Sequence, residues 1–346
     1  MDKKKILWNV ISVLLAVFTV WAVIAQDKHF KISYLVAFIA SSDKLFLTLA
    51  FFTMCGYFFF EGYALSRMSH QLGFGGSKTG IIYGAADVYF SAITPSATGG
   101  QPATALYMMR DGIPGAAATA MILMNLIMYT LSIIIVGGCT FLTSFDLFIR
   151  LSILSKVLIV FGLIIITSLG IIFLLLLCKS QVLYHICDRI ILFLGKIRLF
   201  KRTDHYRERL NTIIAEYEEC SNTIRGHKGL IIEVFILNML QRISYIATVV
   251  FIYLSAGYGF ETVTKVWHIQ SYTVLGSNCI PIPGAMGVAD YIMLDGYGLI
   301  LGSSGVEAEM EIICRGISFY SCIFICGAIL LGSFIIRKTK ERNEKC

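Results

Sequence analysis

SAITPSATGGQPATALYMMRDGIP, residues 91–114, holds three of the five prolines of a strongly apolar chain. The other two fall together in GSNCIPIPGAMGVADY, residues 276–291, and glycines flank the prolines in both stretches. A continuous helix does not accommodate Pro-x-Pro or Gly-Gly at its centre without freeing backbone groups. The prolines therefore mark two places where apolar segments are broken.

The composition favours a membrane protein. Of 346 residues, 57% are hydrophobic and 15% are charged, with a mean hydropathy of +0.75. Soluble domains carry about 25% charged residues. Long apolar runs account for the difference, and a large soluble protein with buried helices is the less favoured alternative.

Six apolar runs are long enough to cross a bilayer, and two more are broken by Pro and Gly. The continuous runs lie near residues 6–25, 45–64, 115–137, 157–177, 230–256 and 312–336, and the broken ones near 80–109 and 264–302. We read the first run as a retained spanning helix rather than a cleaved signal, because its apolar part is too long.

Basic residues set the expected topology. Residues 3–5 are all lysine, the loop 178–228 carries ten Lys and Arg, and the tail 337–346 is basic. All of these clusters lie in the cytoplasm if segment 80–109 enters and leaves the membrane on the cytoplasmic side and segment 264–302 enters and leaves it on the outer side. Both termini are then cytoplasmic as well. The alternative is that both stretches are ordinary kinked helices.

The predicted fold is an all-α polytopic membrane protein with about six full transmembrane helices and two re-entrant hairpins in an inverted-repeat arrangement. Two broken segments of opposite orientation, one in each half, are typical of transporters whose broken helices meet at a midplane site. The expected single domain, 1–346, divides into a first half of about 1–177, a cytoplasmic connector 178–228, a second half of about 229–336 and a basic tail 337–346.

Signals for catalysis, metals and cofactors are poor. GFGGSKTG, residues 73–80, lacks the glycine that a phosphate loop places before Lys78. The histidines form no HExxH motif, and no serine lies in a G-x-S-x-G motif. The ten cysteines contain no C-x-x-C pair and are interpreted as small core residues. We expect no cofactor, no metal, no catalytic residue and no direct nucleic-acid partner.

Ionisable groups within apolar segments are the first candidates for a binding site, because they are costly in a membrane. They are Asp87, Arg110, Arg242, Asp290 and Arg315. Other interpretations stay open: Arg110 marks the membrane interface, Arg242 pairs with Glu233 or an aspartate, and Arg315 extends to the interface.

Polar residues and glycines beside the breaks complete the candidate site. The polar ones are Thr94, Thr98, Gln101 and Asn278, and the glycines that let backbone N–H groups approach a ligand are Gly99, Gly100, Gly284 and Gly287. Together with the charged groups they suit a lipid headgroup: arginines and helix N-termini bind its phosphate, and aspartates bind an amine.

Two segments, ITPSATGGQPATALYMMRDGI and PIPGAMGVADY, resemble the signatures of the flippase-like membrane domain of lysylphosphatidylglycerol synthases. The resemblance extends from about residue 6 to 336. Its matching positions are Pro95, Gly99, Gly100, Gln101, Pro102 and Arg110 in the first segment, and Pro281, Pro283, Gly284, Gly287 and Asp290 in the second.

The resemblance implies a flippase that moves aminoacylated phosphatidylglycerol to the outer leaflet of the bacterial cell membrane, where this lipid protects against cationic peptides. The family's full-length enzymes add a soluble domain that transfers lysine from lysyl-tRNA. Here only nine residues follow Arg337, so we expect that this chain alone does not transfer lysine. Ala285 and Asp290 depart from the usual Pro-Gly-Gly and glutamate, which leaves the identity of the lipid open.

Three alternatives follow from the same residues. The chain acts as a phosphatidylglycerol lysyltransferase with a separately encoded cytoplasmic partner, carries a polyprenyl phosphate, or serves as a membrane scaffold. A membrane phospholipid is the expected ligand in the leading interpretation, and a homo-oligomer is compatible with all of them.

Overall fold

The computed structural model describes residues 32–94, 98–196, 203–278, 287–302 and 306–343, and these are helical apart from short connections, with no strand. The first half contains α1 (Ile32–Ser41), α2 (Lys44–Gln71), α3 (Ile81–Ile93), α4 (Gly100–Arg110), α5 (Gly115–Thr143), α6 (Phe145–Arg150) and α7 (Ile153–Cys178). The second part contains α8 (Ser180–Lys196), α9 (Thr203–Gly226), α10 (Lys228–Ser255), α11 (Val263–Ser277), α12 (Val288–Leu301), α13 (Val306–Arg315) and α14 (Cys322–Asn343). A 3₁₀ turn, Phe260–Thr262, precedes α11, and a π-helical segment, Gly316–Ser321, joins α13 to α14.

Five helices in the described residues are long and apolar enough to span a membrane. They are α2, α5, α7, α10 and the continuous α13–α14 helix, and they coincide with five of the six predicted runs. The remaining run, 6–25, lies outside the described residues. The chain is therefore an all-α, multi-pass membrane protein, as its composition predicted.

The antiparallel pair α2 and α10 forms the centre of the bundle. At one end the backbone N–H of Asp43 donates to the carbonyl of Ser255 at 2.9 Å, and at the other Arg67 pairs with Glu233. We call the Arg67 end proximal and the Asp43 end distal. The alternative that Glu233 neutralises Arg242 is wrong, because Glu233 is engaged by Arg67.

The first broken segment folds into a helix pair, α3 and α4, that starts and finishes at the proximal end. Thr104 donates to the carbonyl of Tyr83 at 3.3 Å, and the Tyr83 hydroxyl donates to Asp111 at 2.6 Å. Both contacts join the beginning of α3 to α4, one within α4 and one just after its last residue. The two helices are therefore antiparallel. Gly84 lets α3 cross α2 closely, because a Cβ there would overlap the carbonyl oxygen of Phe58.

The second broken segment folds into the helix pair α11 and α12. A Cβ at Gly276 would contact Ile292, and one at Gly296 would contact Ile269, so this pair is also antiparallel. It follows the distal end of α10, whereas the first pair follows the proximal end of α2. The two hairpins therefore extend into the bundle from opposite ends.

Helix α7 holds the second hairpin in place. The Ser152 backbone N–H and the Ser155 hydroxyl both donate to Asp295 of α12, at 2.8 Å and 2.5 Å. Farther along α7, Gly162 contacts the backbone of Leu275, and a Cβ at this position would overlap the Leu275 carbonyl oxygen. Such close backbone approach at small residues is typical of helix packing in membranes.

The polar connector forms two helices, α8 and α9, that pack on each other. Arg207 pairs with Asp188 at 2.6 Å, and the buried Tyr217 hydroxyl donates to the carbonyl of Leu176 at 2.9 Å. Burial raises the pKa of Tyr217 to about 12. The second part of the connector, α9, is docked on the end of α7 by the Tyr217 hydroxyl.

Candidate functional site

A cavity of about 300 Å³ lies between the two hairpins. Helices α2 to α5, α7, α10 to α12 and the α13–α14 helix all contribute to its wall, so it is enclosed by both halves of the chain. Its volume is at the lower end of the range for small-molecule sites. The polar side chains that line it are Tyr57, Glu61, Asp87, Ser91, Gln101, Tyr129, Arg242, Tyr245, Gln270, Thr273, Ser277, Asn278, Arg315 and Ser318.

Arg242 of α10 is a buried cation at this cavity, with 3% of its surface exposed. Its guanidinium carbon lies 4.6 Å from the ring centre of Tyr129 and 5.7 Å from that of Tyr245. Its Nε and Nη2 atoms have no hydrogen-bond partner among the residues that the structure describes. The buried Arg242 guanidinium is stabilised mainly by these two aromatic rings. Its remaining N–H groups are therefore free to bind an anion.

Tyr129 connects α5 to the tip of the second hairpin. Its hydroxyl donates to Asn278 Oδ1 at 3.1 Å, beside the end of α11. The Asn278 Nδ2 and Gln270 Oε1 atoms are buried and lack hydrogen-bond partners within the described ranges. The tip of this hairpin therefore offers further polar atoms to a molecule in the cavity.

Glu61 of α2 is a buried carboxyl group that the sequence analysis missed. Gln241 Nε2 donates to it at 2.6 Å, and Asn125 Nδ2 lies 3.5 Å away. Asp87 of the first hairpin lines the same cavity, and the two carboxyl groups also border one small void beside it. The cavity thus combines a pair of acidic groups with a buried arginine whose charge acts on Glu61.

Arg315 is also buried at the cavity, but two acids neutralise it. Its Nε atom pairs with Asp290 and lies 3.7 Å from Glu311. Asp290 also accepts from the backbone N–H of Gly287 at 2.7 Å, which fixes the start of α12. The alternative that Arg315 extends to the membrane interface is wrong, because only 7% of the residue is exposed.

The structure divides the other predicted site residues into three groups. Asp87, Gln101, Arg242, Asn278 and Arg315 line the cavity. Thr94, Thr98, Gly99, Gly100 and Pro102 form the corner of the first hairpin, and Gly287 and Asp290 begin α12. Pro95, Pro281, Pro283 and Gly284 lie outside the described residues.

Arg110 does not belong to the cavity. It is exposed at the proximal end of α4, with its guanidinium 5.4 Å from the ring centre of Tyr107. Since the hairpin returns to the end where it began, its last residue is remote from its tip. The position of Arg110 fits the alternative that it marks the membrane interface.

The corner of the first hairpin is organised by Thr94. Its hydroxyl accepts from the backbone N–H of Gly99 at 2.9 Å and donates to the carbonyl of Phe90 at 2.6 Å. Pro102 falls in the first turn of α4, where its missing N–H costs no helical hydrogen bond. Gly100 lets α4 begin against Asp87, because a Cβ there would overlap the Asp87 carboxyl group.

No group of three or more His, Cys, Asp or Glu side chains in the described part of the chain could hold a metal ion. The polar groups of the cavity are instead two carboxyl groups, two arginines, amides and hydroxyls. Such a set can bind a molecule that carries both a negative and a positive charge.

Comparison with known proteins identifies one family. A family model described as the lysylphosphatidylglycerol synthase TM region matches residues 9–326. Comparisons with curated proteins and with solved structures find no match.

Proposed function

The chain belongs to the family of lysylphosphatidylglycerol synthase TM regions, and from this premise we propose that it moves a phospholipid with a cationic headgroup between the leaflets of a bacterial cell membrane. Lysylphosphatidylglycerol is the substrate that fits best, because its headgroup carries a phosphate and two amines. The observation that carries the proposal is the cavity between the hairpins, where a buried arginine and an acidic pair occur together.

The charges of the cavity support this substrate class. The free N–H groups of Arg242 are matched to a phosphate oxygen, which accepts charge-assisted hydrogen bonds. Glu61 and Asp87 are matched to ammonium groups, which donate hydrogen bonds and carry the opposite charge. Phosphatidylglycerol itself offers a phosphate and hydroxyl groups but no cation, and would leave the charge of the acidic pair unmatched.

The shape of the bundle supports transport rather than simple binding. The hairpins start at opposite ends, so a shift of either one would open the cavity toward its own end. By the distribution of basic residues we place the proximal end and the tail in the cytoplasm. Lipid would then reach the cavity past the first hairpin and leave it past the second.

A leaflet-exchange assay tests the proposal. Purified protein is reconstituted into vesicles with fluorescent lysylphosphatidylglycerol or fluorescent phosphatidylglycerol, and a membrane-impermeant quencher reports the outer leaflet. We expect protein-dependent exchange that is faster for the lysyl lipid, since only this lipid satisfies both charged sides of the cavity. Equal rates with and without protein would contradict the proposal, and equal protein-dependent rates for both lipids would contradict the substrate class.

A further inference from the structure

The acidic pair in the cavity has a property that lipid binding alone does not require. Two carboxylates that lie close together in a buried site repel each other, so that both do not ionise at once. Glu61 of α2 and Asp87 of α3 are in this arrangement, because both line the cavity and both also border the same small void beside it. The pair therefore holds one proton when no cationic ligand is bound to it.

Neighbouring amide groups hold Glu61 in position. Gln241 donates to one Glu61 oxygen at 2.6 Å, and Asn125 approaches the other at 3.5 Å. Asn125 is itself oriented by Asn238, whose Nδ2 donates to its carbonyl oxygen at 2.9 Å. These amides come from α5 and α10, so two neighbouring helices hold Glu61 in position beside Asp87.

Three charged or titratable groups on neighbouring turns and helices lie near the pair. They are Tyr57 on α2, Arg242 on α10 and Cys326 on α14. Arg242 is the only permanent cation among these three. Its aromatic contacts and free N–H groups indicate that it is directed to an anion in the cavity rather than bound to the pair.

We propose that the Glu61–Asp87 pair exchanges its proton for the ammonium group of the lipid, so that lipid and proton cross the membrane in opposite directions. This inference rests on the proposed function and adds the source of its driving force. When the ammonium enters, the shared O–H bond breaks and the proton passes to water in the cavity. The freed carboxylate then accepts an N–H of the ammonium, and the net charge of the site is unchanged.

The consequence is a lipid distribution set by the pH gradient. One-for-one exchange makes the ratio of lipid in the two leaflets equal to the ratio of proton concentrations, so about tenfold per pH unit. The leaflet facing the more acidic side is enriched. This equilibrium is the same whichever way the protein is inserted, so mixed orientation in vesicles does not obscure it.

The test uses the full-length protein in vesicles with lysylphosphatidylglycerol and a membrane potential clamped at zero by valinomycin and potassium. The two sides are held at about pH 5.5 and about pH 6.5, below the α-amino pKa of about 7.7, so that the lipid amines stay charged. We expect about tenfold enrichment of the lipid on the acidic side with protein, and no enrichment in protein-free vesicles.

Two variants separate the pair from other carboxyl groups. In Glu61→Gln the glutamine amide can donate to Asp87, which then stays ionised because no second carboxylate lies beside it. No proton is left to exchange, and we expect the leaflet ratio to fall to about one. Glu233→Gln removes a carboxyl group at the proximal end, outside the cavity, and should keep the wild-type ratio. A wild-type ratio in Glu61→Gln would overturn the assignment to the pair.

The wild-type result alone also decides the inference. Protein-dependent exchange that reaches equal leaflet concentrations despite the gradient would overturn proton coupling and leave the proposed function intact. Absence of any protein-dependent exchange would overturn the proposed function and the coupling with it.

Discussion

Replacing Arg242 with glutamine is the perturbation with the clearest expected effect on lipid binding. The substitution removes the buried cation and its two free donors, and keeps a polar side chain of moderate length. A hydrogen bond to a charged group contributes about 1.5–3 kcal/mol. Since each 1.4 kcal/mol is a factor of ten, losing one such bond weakens headgroup binding by roughly 10- to 100-fold.

The fold should tolerate this change. The guanidinium loses its contacts with the Tyr129 and Tyr245 rings, which are each worth about 1–2 kcal/mol when desolvated. The same substitution relieves the cost of burying a charge, and the two effects oppose each other. We therefore expect a large change in affinity with a small change in the unfolding temperature.

The assay is calorimetric titration of the detergent-solubilised protein with short-chain lysylphosphatidylglycerol. Arg150→Gln is the matched control, because Arg150 is exposed at the end of α6 and is not part of the cavity wall. Arg242→Lys should bind with intermediate affinity, since it keeps the charge and loses the planar pair of donors. Binding by Arg242→Gln within about twofold of wild type, on the 1.4 kcal/mol-per-decade scale, would refute the reasoning.

Three further changes test the packing around the cavity. Gly162→Ala should lower stability by about 1–3 kcal/mol, seen as a lower melting temperature, because the added Cβ overlaps a backbone carbonyl of α11. Gly138→Ala is the control and should leave the melting temperature unchanged, because a Cβ there meets nothing within 4 Å. Equal effects of the two substitutions would contradict the close approach of α7 to α11. Asp290→Asn should cost about 3 kcal/mol by breaking the ion pair with buried Arg315, and an unchanged melting temperature would show that Arg315 does not depend on it. Tyr217→Phe should lower the free energy of unfolding by about 1 kcal/mol and speed hydrogen exchange in α9. Because the pKa of Tyr217 is raised to about 12, the stability that its hydroxyl contributes is present below about pH 10 and lost as the pH rises through about 12. A wild-type stability that is flat over this range would contradict the burial of the hydroxyl.

The helices and the two breaks were predictable because they depend on local properties. Apolar runs of sufficient length give α2, α5, α7, α10 and the α13–α14 helix, and the segments with prolines and glycines separate α3 from α4 and α11 from α12. Gln101 and Asn278 were found because they lie within a few residues of those breaks, and Asp87 because it is an ionisable group in an apolar segment. Distance along the chain from a break was therefore a useful guide to the cavity.

Residues supplied by continuous helices were harder to find. Glu61 lies in the apolar stretch FFFEGY, and an ionisable group inside a span was an available signal. Tyr129 and Tyr245 gave no such signal, because aromatic residues in spans also face lipid. Their role depends on the rotation of α5 and α10, which packing decides.

Charge partners also required the tertiary structure. Glu233 and Arg242 are nine residues apart, so on one helix they are separated by about 14 Å along the axis and cannot pair. The real partner of Glu233 is Arg67 on the neighbouring helix. The partner of Arg315 is likewise on another helix, at Asp290, and no spacing in the sequence connects them.

The most direct test of the central claim is an experimental structure in nanodiscs that contain lysylphosphatidylglycerol. The account predicts headgroup density between the hairpins, with a phosphate oxygen about 2.7–2.9 Å from the free nitrogens of Arg242 and an amine at Glu61 and Asp87. A cavity that contains only water, with headgroups confined to the two bilayer surfaces, would contradict it.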